Sequence, residues 1–176
     1  DLSTMFQNSA GTTPVTAAGQ SVGLTLSKSK DLALSSELKQ SALTKMVGTA
    51  PVATFNTVTG FGTVERVDIS NQSFIAFNDA VGGKWYKVSI TNSSTALIAL
   101  RNTSMFGVDA TLTNIMPNTT FNGYVYVALG FLLGIAASVG SCSFTVNSIK
   151  EIAGNHAYQT TSAARPILQD APRRID

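Results

Sequence analysis

The chain has little cysteine and few charged residues, and each shortage limits the classes of protein to which it can belong. Its single cysteine, Cys142, excludes an intrachain disulfide, and its setting in Ser-Cys-Ser-Phe predicts a small buried residue. Charged residues make up only 12% of the 176, so Ser, Thr and Asn must cover the surface. A surface of that kind is typical of an extracellular or virion protein rather than a cytosolic enzyme.

Histidine and well-paired acids are also scarce, which argues against catalysis. Nucleophilic catalysis needs a base beside a Ser or Cys, but the one histidine, His156, lies in a predicted loop. Glycoside hydrolysis needs two carboxylates about 5–10 Å apart across a cleft. Glu65 and Asp68 fall on opposite faces of one predicted strand, and Asp79 and Asp109 are predicted turn residues. We therefore predict that the chain is not an enzyme, and a polysaccharide-depolymerising activity ranks third among the hypotheses.

No cofactor is predicted for this chain. The one cation considered is a structural calcium ion, which takes about six to eight oxygen ligands and could use Asp79 with loop carbonyls. This calcium site is not part of the prediction.

The charges do not concentrate in one region. Residues 31–152 hold seven acids and seven bases, so this block is neutral although the whole chain carries +2. A neutral block lacks the basic patch that nucleic-acid binding needs. The hydrophobic run from Val125 to Val139 is too short for a bilayer, which needs about 20 apolar residues, and its glycines predict two buried strands around a turn. We predict neither a nucleic-acid partner nor membrane insertion.

Alternating apolar and polar residues dominate the chain from Pro51 onward. The clearest run is Lys84 to Ile90, in which every second residue is apolar. Eight or nine short runs of this kind are separated by turn residues such as Gly82-Gly83. The pattern predicts an all-β fold, either an antiparallel sandwich or a jelly roll. Four Asn-X-Ser/Thr triplets are interpreted as polar turns: Asn71, Asn92, Asn102 and Asn118.

One segment departs from this alternation. In Ser35–Met46 the apolar residues recur at helical spacing, and Glu37 is well placed near a helix N-terminus. We expect one short helix here. The two flanks, residues 1–30 and 153–176, are polar and turn-rich, and are expected to be loop-rich segments that pair with each other.

Specific stretches in these flanks point to a known family. They are DLSTMFQ (residues 1–7), GTTPVT (11–16), VGL (22–24), GNHA (154–157) and ARPIL (164–168). Together they resemble a module of bacteriophage tail and tail-fibre proteins, in which a jelly-roll domain is often inserted before the GNHA stretch. The block between the flanks is similar to the carbohydrate-binding-module-like inserts, in GGKWYKVS (82–89), MPNTTFNG (116–123) and FTVNSI (144–149).

The resemblance implies a domain plan and a function. Residues 1–30 would be an N-terminal connecting segment, 31–152 the inserted carbohydrate-binding-like domain with an antiparallel jelly-roll β-sandwich fold, and 153–176 a connecting segment leading into a further domain. The implied function is non-catalytic binding of bacterial surface polysaccharide during host recognition. The implied partners are a host surface glycan, other tail subunits and further copies of the chain, with a trimer favoured. The implied location is the tail of the virion, outside the cell. The alternative is a structural spacer or assembly domain of the tail that contacts neighbouring subunits.

A glycan site can be placed on one predicted sheet face. If Tyr86 and its apolar partners point inward, Trp85 and Lys87 point outward, and an exposed Trp85 ring could stack on a sugar. Tyr124 and Tyr126 share a face with Asn122, which would extend that platform if the two strands are neighbours. The predicted carbohydrate-binding residues are therefore Trp85, Lys87, Asn122, Tyr124 and Tyr126. In the competing interpretation the tyrosines fill the core, and a flank or a neighbouring subunit covers Trp85.

Overall fold

The computed structural model describes residues 2–26, 34–49, 52–68, 70–104, 107–153, 157–158 and 161–168. His156 and the side chain of Asp109 therefore lie outside the described residues. The chain divides into two compact units, one formed by residues 1–33 with 154–176 and the other by residues 34–153.

The smaller unit joins the two ends of the chain. Its strands β1 (Met5–Phe6), β2 (Leu24–Thr25) and β13 (Ala157–Tyr158) form an antiparallel sheet in the order β1-β2-β13. Further backbone hydrogen bonds link the flanks, such as that from the Val22 N–H to the Pro166 carbonyl at 2.7 Å. The expectation that the flanks pair with each other is confirmed.

The larger unit is built almost entirely of strands. In chain order they are β3 (Ala42–Val47), β4 (Thr54–Phe55), β5 (Phe61–Arg66), β6 (Gln72–Val81), β7 (Lys84–Asn92), β8 (Ile98–Ser104), β9 (Gly107–Ile115), β10 (Thr120–Val127), β11 (Leu132–Ala137) and β12 (Gly140–Ile152). Most match the runs expected from alternation, because inward apolar and outward polar residues recur with period 2.

The strand pairing is that of a jelly roll. β5 pairs with β12, β6 with β11, β7 with β10 and β8 with β9, all antiparallel, so the eight strands form one long nested hairpin that is rolled up. The order β10-β7-β12-β5 gives the first layer and β6-β11-β8-β9 the second. β3 adds to β6 and β4 adds to β5. The predicted antiparallel jelly-roll β-sandwich is confirmed.

The core lies between the two layers. Tyr86, Val88 and Ile90 of β7 all point into it and are almost completely buried, as the alternation predicts. Cys142 of β12 is buried too, which confirms the expectation for this residue. Burial raises the pKa of its thiol, because a thiolate would have to lose its hydration.

The predicted helix over Ser35–Met46 is wrong. A single 3-10 turn at Lys39–Ser41 is followed directly by strand β3, which pairs along β6. The Glu37 carboxylate accepts a long hydrogen bond from the Lys39 N–H of this turn at 3.4 Å, and shorter ones from the Ile149 N–H at 2.7 Å and the Ser148 hydroxyl at 2.8 Å on β12. Hydrogen bonds to two neighbouring strands outweigh a helical pattern, since helix propensity is a weak preference.

The hydrophobic run Val125–Val139 forms two strand segments, as expected. β10 ends at Val127 and β11 begins at Leu132, with Gly130 in the turn at a φ of 87°. In the part of the chain that the structure describes, no helix is long and apolar enough to cross a membrane.

Candidate functional site

The outer face of the first layer carries the predicted glycan-binding residues. β7 lies between β10 and β12, and its outward residues face neighbours on both sides. Tyr126 lies opposite Trp85, Tyr124 opposite Lys87, and Asn122 opposite Ser89. The two strands are neighbours in the register that the platform hypothesis requires, and all five predicted residues share one face.

The exposed tryptophan platform is not found. Trp85 retains only 5% of its accessible surface, and its ring centroid lies 5.6 Å from that of Tyr126 at an interplanar angle of 49°. A sugar cannot stack on a ring that solvent does not reach. Alternation correctly assigns Trp85 to the face opposite Tyr86, but the pattern of one strand does not reveal what packs over that face.

Tyr124 and Tyr126 are half-buried rather than exposed. Burial raises the pKa of the Tyr124 phenol, so its hydroxyl remains protonated and can donate a hydrogen bond. Neither tyrosine fills the core between the layers, because Val125 and Val127 occupy the inward positions of β10. The competing interpretation is therefore wrong for the two tyrosines.

A groove runs over the same face, next to the aromatic residues. It has a volume of about 270 Å³. Its side-chain lining includes Leu34, Lys87, Ser89, Asn122, Ser148 and Lys150. Lys87 and Asn122 are thus the two predicted residues that the groove brings together, whereas Trp85 and the two tyrosines do not line it.

The third strand of the groove contributes two residues that sequence reasoning did not select. β12 places Lys150 opposite Lys87 and Ser148 opposite Ser89. The alternation of β12 does not identify them, because a β-bulge between Val146 and Ser148 reverses the phase of the strand. The sequence does carry a signal of the bulge. The apolar residues of this long predicted strand fall first at even positions and then at an odd one, Ile149, as an inserted residue requires.

The edge of the groove is held by the segment before β3. The Ser35 N–H donates to the Glu151 carbonyl at 2.9 Å, and the Glu151 N–H donates to the Ser35 hydroxyl at 2.8 Å. Leu34 forms an isolated bridge with Ile152. Together with the two hydrogen bonds that Glu37 accepts from β12, these contacts hold Leu34 at the rim of the groove.

The acids considered for hydrolysis lie in ordinary structural positions. Asp68 follows β5 in a turn, where the Asn71 amide donates to its carboxylate at 2.9 Å and the Ser70 N–H donates at 2.7 Å. These hydrogen bonds hold the pKa of Asp68 below its usual value. Asp79 is an exposed residue of β6, not of a turn, so the expectation of a loop position is wrong. Among the described residues no group of three or more His, Cys, Asp or Glu side chains could hold a metal ion.

Comparison of the chain with protein-family models, with curated proteins and with solved structures finds no match. The groove itself, with its polar and cationic lining, is the feature on which a function can be built.

Proposed function

We propose that this chain is a non-catalytic domain of a phage tail fibre or tail tip that binds bacterial surface polysaccharide. The observation that carries the proposal is the groove across β10, β7 and β12. It offers the Asn122 amide, the Ser89 hydroxyl and, as an acceptor, the Ser148 hydroxyl, which donates its proton to Glu37. Amides and hydroxyls both donate and accept hydrogen bonds, as the hydroxyl groups of a sugar require. The flank stretches that resemble the tail module support the placement in a virion.

A single groove of this kind binds weakly. Each neutral hydrogen bond contributes about 0.5–1.5 kcal/mol net, so three or four of them correspond to a Kd on the order of millimolar. Repeated copies raise the avidity by orders of magnitude without any new contact. The proposal therefore includes a homo-oligomer, with a trimer favoured, in which several grooves meet one cell surface.

The test is binding of the purified chain to a glycan array and to host lipopolysaccharide, with the chain displayed multivalently. Asn122→Ala should weaken binding by about 10-fold, because it removes an amide of the groove lining and its hydrogen bonds without opening the core. Asn114→Ala on β9 is the matched control, since Asn114 is also an exposed strand residue but lies outside the groove. A folded chain that binds no glycan, or an Asn122→Ala variant that binds normally, would reject the proposal.

A second candidate is a spacer or assembly domain of the tail. The observation that favours it is the outer strand β3, where Leu43 and Met46 are 41% and 46% exposed. Apolar side chains on an edge strand suit contact with a neighbouring subunit. Under this hypothesis Leu43→Lys should change the oligomeric state in light scattering, and Asn122→Ala should leave it unchanged.

A further inference from the structure

We propose that the groove recognises an anionic glycan, and that Lys87 and Lys150 bind its carboxylate, phosphate or sulfate group. This inference rests on the proposed function and narrows it to a substrate class. It starts from the register of β7 and β12, which places the two lysines directly opposite each other on the outer face. Side chains at such positions have Cβ atoms about 4.5–5.5 Å apart, and like charges there are destabilising.

No carboxylate compensates for this repulsion. In the described part of the chain, neither lysine forms an ion pair or a side-chain hydrogen bond. On the same two strands, Lys84 does form such a pair with Glu151 at 2.8 Å. Glu37 at the rim accepts hydrogen bonds from Ser148 and from the backbone of Ile149, and it forms no ion pair with a lysine of the described residues. An external anion is therefore the natural counter-charge for the lysine pair.

The residues that line the groove form two rows, one that can bind an anion and one that can bind hydroxyl groups. One row across the strands holds Lys87 and Lys150, and the next row holds Asn122, Ser89 and Ser148. Three strands span about 10 Å, and adjacent rows lie about 7 Å apart along the strand direction. A sugar residue with one charged substituent fits this spacing, with its anion on the lysines and its hydroxyls on the amide and the two serines.

A glycan agrees with the charge distribution better than a nucleic acid does. A nucleic acid would need a basic patch long enough to follow several phosphates. Here the cations of the groove are two, and they adjoin a neutral polar row, so one isolated anionic group is the matching ligand.

The experiment compares charged probes with their neutral counterparts. Oligogalacturonate is set against its methyl ester, and a phosphorylated lipopolysaccharide core against the dephosphorylated core, by interferometry with the chain immobilised. The two pairs distinguish a carboxylate from a phosphate source. We expect at least one charged probe to bind more tightly than its neutral counterpart, with a preference that falls as salt is raised. Inorganic phosphate and a single-stranded DNA oligonucleotide complete the set.

Lys87→Gln and Lys150→Gln should each weaken binding of the charged probe by ~10-fold, since each removes one charge-assisted hydrogen bond. Lys45→Gln on β3 is the matched control, because Lys45 is a lysine of the other layer without an ion pair among the described residues. Relief of the repulsion should also raise the Tm of each groove variant by about 1–3 °C, a readout independent of any ligand.

Three results would overturn the inference: equal binding of charged and neutral probes, groove variants that behave like Lys45→Gln, or DNA or inorganic phosphate binding as tightly as the charged glycans. Binding of neutral glycans that Asn122→Ala weakens and Lys87→Gln leaves unchanged would refute the anionic ligand and leave the proposed function standing. A folded chain that binds no glycan at all would refute both.

Discussion

Asn92 shows how much of the structure can depend on one polar side chain. It is completely buried at the end of β7. Its amide nitrogen donates to the carbonyls of Ala96 at 2.8 Å and Ile115 at 3.0 Å, and its oxygen accepts from the N–H and hydroxyl of Ser94. The sequence indicates only an Asn-X-Ser triplet in a polar turn, because the Ile115 carbonyl lies 23 residues away in the chain and comes within reach of Asn92 only in the folded protein.

Replacing this side chain should therefore be costly. Asn92→Ala removes four side-chain hydrogen bonds, one of them the buried bond to the Ile115 carbonyl, and we expect it to lower the free energy of unfolding by about 2–4 kcal/mol. Urea denaturation followed by circular dichroism measures the change. Asn114→Ala, at an exposed position of β9, should change stability by less than about 0.5 kcal/mol. Equal effects of the two substitutions would contradict the role assigned to Asn92.

Cys142 gives a second test at the residue scale. Its thiol is buried, and burial raises its pKa, so at pH 8 the reactive thiolate is both rare and shielded. We expect negligible reaction with a disulfide reagent in the native protein and complete reaction of one thiol per chain in denaturant. Rapid modification of the native protein at pH 8 would show that this part of β12 is open to solvent.

At the scale of elements, the sequence predicts the inward face of a regular strand but not the face that residues occupy after a bulge. The regular alternation of β7 predicts its bounds and its inward face. In β12, Val146 and Ile149 both face the core, because the bulge at Asn147 inserts one residue. The phase of Lys150, and with it half of the cationic pair, therefore depends on a bulge that simple alternation along the strand does not take into account. The sequence predicts a helix in place of β3 because the apolar residues there are spaced as in a helix. The extended conformation depends on pairing with β6.

The bulge can be tested by removing it. Deletion of Asn147 would turn residues 148–152 to the opposite face, exposing Ile149 and burying Lys150. We expect a loss of about 3 kcal/mol or more in the free energy of unfolding, together with loss of ligand binding. Asn147→Ala keeps the extra residue and loses only exposed hydrogen bonds to Ser89 and Thr91, so its effect should stay below about 1 kcal/mol. A deletion variant as stable as Asn147→Ala would refute the assigned phase.

At the scale of the whole molecule, the nested pairing makes the fold depend on distant contacts. The first strand of the roll, β5, pairs with the last, β12, and the pairings of β6 with β11 and of β7 with β10 also join strands that are distant in the sequence. The all-β class follows from the number, length and spacing of the alternating runs, whereas the jelly-roll order is what the family resemblance implies. The groove does not, because it combines β7 with β10 and β12, whose register the local pattern leaves open.

Trp85 reports on the closure of this roll. Its neighbours on the same face, Tyr126 of β10 and Ile152 of β12, come late in the chain, so the indole can be buried only after both strands have paired with β7. We expect a blue-shifted native emission that acrylamide quenches poorly, and a refolding signal in the range of about milliseconds to seconds, as is typical of non-local β pairing. Stopped-flow fluorescence of this single tryptophan measures both. A native emission as red and as quenchable as that of the unfolded chain would mean that Trp85 is open to solvent, and would restore the ring as a stacking surface for sugar.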